Sequence, residues 1–162
     1  MSLVNFSRWF QKSPNLLVLQ VVGDSLRFVL RSRQQTTTGM VNLPSQAQGR
    51  MFDVAAARAA LLPQLPAVKA NVAVLLPASA VHIHHLKVPA NLDQEELEYQ
   101  VTRHITHELG LALTDVYYDW GVLTDAQTKG QTVLIVVARQ TEVVQYAQLF
   151  ADTDFKMHWV CA

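Results

Sequence analysis

From residue 16 onward the chain alternates between apolar runs and short polar breaks, and the period of each run predicts its conformation. "LLVLQVV" and "SLRFVLR" are apolar enough for two paired strands, with Gly23 free to take a positive φ at the turn between them. The polar stretch "SRQQTTTGM" has no core pattern, but its three threonines favour extension and predict a third strand over 36–43. A loop follows over 44–49. Asp53 opens an alanine-rich helix that runs to Leu62 and stops at Pro63. "NVAVLL" is too short and too β-branched for a buried helix and reads as a buried strand; Pro77 breaks it, and "SAVHIHHLKV" alternates as the next strand.

In "DQEEL", Asp93 and Glu96 form a capping box, each side chain able to satisfy a backbone N–H that a helix start leaves bare. Leu97, Val101, Ile105 and Leu109 recur every four residues as one apolar stripe, and Gly110 is placed for a left-handed cap. "DVYYDWGVL" puts Val116, Tyr118, Trp120 and Val122 on one face of a strand, the loop "TDAQTKGQ" follows, and "TVLIVVAR" is a more deeply buried strand. A helix over 141–150 and a short strand over 155–160 complete the order β-β-β-α-β-β-α-β-β-α-β, a mixed α/β domain without internal repeats.

Composition narrows the function classes. Half of the 162 residues are hydrophobic, enough for a folded interior. Thirteen basic and thirteen acidic side chains cancel, so net charge does not call for a nucleic-acid partner. The single cysteine, Cys161, cannot form an internal disulfide, which fits a reducing compartment. No apolar run approaches the roughly 18–20 residues that span a bilayer, and "MSLVNFSRWFQKSP" lacks the pattern of a signal peptide. These features predict a cytoplasmic protein. There is no G-x-S-x-G elbow, no glycine-rich phosphate loop with lysine and no H-E-x-x-H, so no enzymatic activity is expected. The acidic cluster Asp93, Glu95, Glu96 and Glu98 suits the positive end of a helix dipole and needs no active site to explain it.

"LPASAVHIHHLKVPANLDQEELEYQVTRHI", "VYYDWGVL" and "VLIVVARQTEVVQYAQLFADTDFKMHWV" together resemble the PilM family of type IV pilus-assembly proteins and their MshI relatives of the mannose-sensitive haemagglutinin (MSHA) pilus. The matching features are the strand ending in "VPA", the acidic capping box, and the strand ending in "AR" before a helix and closing strand; they extend over roughly residues 15–160. The resemblance implies an actin-like fold of the FtsA type. It divides the chain into an N-terminal amphipathic leader over 1–14, part of the first actin-like lobe over 15–76, an inserted α/β subdomain over 77–152 and a closing strand over 153–162. It implies as well that the chain is either a piece of a longer protein or a short relative, because lobe two of the family lies beyond these elements.

Three groups of residues are candidates for a site. In the family's first hairpin an aspartate orients a metal-bound water and a glycine lets backbone N–H groups approach phosphate; the corresponding stretch here holds Gln20, Val22, Gly23, Asp24 and Ser25. Gln20 carries no negative charge and the Val22 side chain obstructs the approach, so this reads as a degenerate phosphate hairpin, with no nucleotide cofactor expected. His82 and His84 share a strand face, and His104 and His107 are neighbours on a helix, but no cysteine or carboxylate completes a known ligand spacing; no metal is expected. In the leader, Phe6 and Phe10 fall at helical spacing with Trp9 beside them and Arg8 and Lys12 flanking, a pattern able to rest on a membrane or dock a partner.

The expected function is therefore a scaffold at the cytoplasmic face of the inner membrane. The resemblance implies that it binds the cytoplasmic tail of an inner-membrane PilN-like protein in a groove on lobe one bordered by the inserted subdomain. Two rivals differ in class: part of an actin-like ATPase whose longer parent binds ATP, and a metal-binding module built on the histidines.

Overall fold

The computed structural model describes residues 15–43, 52–123 and 130–161. Among the described residues, eight strands and three α-helices follow the order expected from the sequence. They are β1 (Leu16–Val22), β2 (Ser25–Arg31), β3 (Thr36–Asn42), α1 (Val54–Leu61), β4 (Ala70–Leu75), β5 (Val81–Pro89), α2 (Gln94–Arg103), β6 (Val116–Leu123), β7 (Gly130–Arg139), α3 (Gln140–Leu149) and β8 (Phe155–Cys161). The fold class is mixed α/β, as expected. The amphipathic leader, including Phe6, Trp9 and Phe10, lies outside the described residues.

Contacts divide the chain into two units, one spanning Val81–Thr141 and the other formed by the segments on either side of it. The flanking unit is built on a five-stranded sheet of order β3-β2-β1-β4-β8. β1, β2 and β3 form an antiparallel meander, whereas β4 runs parallel to β1 and β8 parallel to β4. Strict alternation in β2 sends Leu26, Phe28 and Leu30 inward and Arg27, Val29 and Arg31 outward. The inward set packs with Leu17, Leu19, Val72 and Val74, all essentially without solvent exposure. Burying each such side chain contributes about 1.5–3 kcal/mol. Asp53 caps α1 by accepting from the Ala56 N–H at 3.0 Å. The helix closes into a single 3₁₀ turn at Leu62–Gln64, which accommodates Pro63 rather than stopping at it. Gly39 on β3 faces the Phe28 ring so closely that any Cβ there would collide with it.

The central unit sits, in chain order, within the crossover from β4 to β8. It holds a three-stranded antiparallel sheet of order β5-β7-β6 with α2 packed on one face. Val133, Ile135 and Val137 of β7 and Val101 and Ile105 of the helical segment form its fully buried centre. The capping box at Asp93 is made as the sequence predicts: Asp93 N–H donates to Glu96 Oε2 at 2.9 Å, and Glu96 N–H to Asp93 Oδ1 at 2.8 Å. The expected α-helix up to Leu109 does not run through unchanged. Beyond Arg103 the backbone widens into a π-helical turn over His104–Glu108, in which Leu109 N–H donates five residues back to His104 O at 3.1 Å. Gly110 then takes φ 64, the left-handed geometry foreseen for it.

Candidate functional site

At the end of β1 the register pairs Val22 with Ser25, leaving Gly23 and Asp24 as a two-residue turn. Gly23 adopts φ 57, which a Cβ would strain. The tip is stitched to the end of β3, because Leu43 N–H donates to Asp24 O at 2.6 Å. Ser25 Oγ donates to Asn42 Oδ1 at 3.5 Å. Gln20 is exposed, paired in register with Arg27 on one side and Leu75 on the other. Val22, where a phosphate hairpin would have its glycine, projects with 40% of its surface exposed. The five residues named for a degenerate phosphate hairpin therefore do form one hairpin tip, with a branched side chain standing on it.

The histidines divide differently from their sequence spacing. His84 on β5 and His104 at the start of the π turn meet edge to face, with ring centroids 5.6 Å apart and planes at 65°. His82 lies on the same strand face and His107 is exposed. Among the described residues no group of three or more histidines, cysteines, aspartates or glutamates is arranged to hold a metal ion. The imidazole of His84 is held below its ordinary pKa, first by burial and then by the fields of His104 and His82. His104 Nε2 is buried with no hydrogen-bond partner among the described residues.

A third constellation was not named from the sequence as a site. Glu98, one turn beyond the capping box, accepts from Tyr118 Oη at 2.7 Å and from Trp120 Nε1 at 2.6 Å. Both oxygens of one half-buried carboxylate thus tie α2 to β6. Burial, reinforced by this hydrogen bond and by the charge of Glu98, pushes the Tyr118 phenol up to about 12. The signal lay in the alternation of Tyr118 and Trp120, two amphipathic rings on the apolar face of a strand, each needing a partner for its polar end. Glu98 leaves the acidic cluster to meet that need, whereas Asp93 and Glu96 are spent on the cap.

Chemically, these arrangements fasten and shape; none of them assembles a nucleophile, base and oxyanion donor. A model of the family described as type IV pilus assembly protein PilM matches residues 38–160. Among solved structures, a PilM–PilN type IV pilus biogenesis complex is similar over 91% of this chain and 47% of its own, with TM-score 0.67 and 17% identity. The cytoplasmic domain of EpsL, an inner-membrane component of the type II secretion system of Vibrio cholerae, is similar over 91% of this chain and 57% of its own, with TM-score 0.59 and 14% identity. At these identities the likeness is one of fold. The chain spans about half the length of the structures it matches. No curated protein matches it.

Proposed function

Because the chain belongs to the PilM family of type IV pilus assembly proteins, we propose that it acts as a non-enzymatic scaffold of pilus assembly that captures the cytoplasmic tail of a PilN-like inner-membrane protein. The observation that carries this reading is the match to a PilM solved together with PilN. A scaffold of this kind works from the cytoplasm at the inner face of the membrane that anchors its partner. The MSHA-type pilus is its proposed setting, on the strength of the "VPA", capping-box and "AR" segments that resemble MshI.

The physics of tail capture needs no catalytic group. An extended peptide gains main-chain hydrogen bonds along a sheet edge, while alternate side chains enter apolar pockets. β3 is an edge of one sheet, and β5 and β6 are the edges of the other, so unpaired strand groups exist in each unit. A short tail also loses its own conformational freedom on binding, which holds affinity near the micromolar range, on the order of 1–100 μM. Such binding depends weakly on salt, because main-chain pairing does not screen as surface charge does. Gln20 and Val22 at the hairpin tip support the non-enzymatic part of the proposal, since neither supplies a metal-orienting anion nor leaves room for phosphate.

The test is a titration of the labelled chain with a synthetic peptide copying the N-terminal cytoplasmic tail of the cognate PilN-like protein, followed by amide NMR, alongside calorimetry with magnesium and ATP. Saturable shifts on a contiguous set of strand residues, with no heat from ATP, are expected. No shift at millimolar peptide overturns the scaffold reading, and micromolar ATP binding overturns the non-enzymatic one.

A further inference from the structure

We infer that the contact between His84 and His104 is a proton-sensitive latch, which holds the π turn at the end of α2 against β5 at neutral pH and releases it in mildly acidic conditions. The rings meet edge to face at 5.6 Å, a favourable packing for two neutral imidazoles. Protonation of His84 makes the same contact unfavourable. Burial opposes its charged form first, and the fields of His104 and His82 oppose it further. His104 Nε2 is buried without a hydrogen-bond partner among the described residues, so the ring contact is not backed by a polar tie from that nitrogen.

The surroundings offer the cation no relief. From β7, the residues opposite His84 and His82 in register are Ile135 and Val137, both buried and apolar. On the helix end, Arg103, His107 and Glu108 are exposed. No carboxylate contributes to the field at His84, whose charged form is opposed by burial first, then by His104 and His82.

The element under the latch is a π turn, a rare geometry frequently found at functional sites. At its end Leu109 N–H donates to His104 O and Leu111 N–H to Ile105 O, both at 3.1 Å. Ile105 anchors the turn in the core, whereas His107 and Glu108 are exposed, so opening is local to the end of the turn, where these two bonds lie. The sign of the pH effect follows from the depressed His84 pKa. Between that lowered value and the ordinary 6.5 the unfolded chain binds more protons than the folded one. The latch is therefore fully effective above 6.5 and weakens as pH falls through that value toward the folded pKa.

The chain of 162 residues tests this by two NMR measurements. One follows the imidazole carbon-bound protons through a pH titration. The other follows amide exchange of Leu109 and Leu111, corrected for intrinsic rates, against a reference amide in the centre of β7. The expected results are a His84 midpoint below 6.5 and, between about pH 7.5 and about pH 5.5, a loss of protection at Leu109 and Leu111 several-fold greater than at the reference. His84→Gln and, independently, His104→Gln should flatten that difference, whereas His107→Gln should keep it. A His84 midpoint at or above 6.5, no differential loss in the unaltered chain, or the same loss in both glutamine variants overturns the latch.

Discussion

Glu98 reaches from α2 to β6 with both carboxylate oxygens occupied, whereas the Tyr146 hydroxyl is fully buried beside Phe52 and has no partner among the described residues. The two side chains should respond oppositely to removal of their polar atoms. Glu98→Gln leaves one acceptor for two donors and turns an NH2 group toward Tyr118 or Trp120, so a loss of about 1–3 kcal/mol is expected. Tyr146→Phe deletes a hydroxyl that gains nothing from the fold, and the same accounting gives a change within about 1 kcal/mol, neutral or stabilising. Urea unfolding of the two variants side by side checks both, and equal losses would remove the distinction. The raised pKa of Tyr118 has a consequence of known sign. The folded state favours the neutral phenol, so the contribution is complete below the ordinary value of 10 and is lost as pH rises through about 12. At neutral pH it contributes no pH dependence. The Glu98 tie was not legible as a site because its partners lie 20 and 22 residues away and on another element; the sequence displays the three residues without showing that they meet.

At the scale of the element, the helical stripe Leu97, Val101, Ile105 and Leu109 has a property that spacing alone conceals. Four residues advance an α-helix by slightly more than one turn, so an apolar set repeating every four drifts about 40° per step and would leave the core by the fourth member. The wider turn over His104–Glu108 compensates for that drift, and Leu109 packs against the same core as Leu97, Val101 and Ile105. The capping box and the glycine at its two ends were legible because both are local chemistry. The π turn was not, because it arises from the need of a distant sheet to receive a side chain at the end of a drifting stripe. Ile105 has no solvent exposure, so Ile105→Ala should cost about 2–5 kcal/mol. Leu109→Ala, at a half-buried site, should cost distinctly less, and should lower the exchange protection of the π turn more than that of α2. Thermal unfolding together with site-resolved amide exchange checks this pair; comparable losses at both sites would mean that the π turn does not serve to seat Leu109.

For the whole molecule, the order of strands and helices and the mixed α/β class were legible, since each element announces itself by local period and punctuation. How the strands are shared between two sheets was not legible from local pattern, because pairing of β4 with β8 joins residues more than 80 positions apart; only the family resemblance set 77–152 apart as an inserted subdomain. The register also accounts for how a separate unit fits within one crossover. Val81, where the central unit begins, pairs with Ala138 near its end, so the chain enters and leaves at adjacent positions of one antiparallel ladder. Entry and exit at neighbouring points make few demands on the sheet that hosts the crossover. The central unit also has an interior of its own, made by Val88, Leu97, Val101, Ile105, Val116, Val133, Ile135 and Val137. It is further fastened by the Glu98 tie and the capping box, all within Val81–Thr141. A segment of about sixty residues with one core and no disulfide is at the small end of what folds alone, so its stability should be marginal, a few kcal/mol at most. Excised as Val81–Thr141, it should nonetheless give dispersed amide NMR shifts and a cooperative thermal transition, with Glu98→Gln abolishing the transition. A collapsed peptide with undispersed shifts would show that this core needs the flanking unit to form.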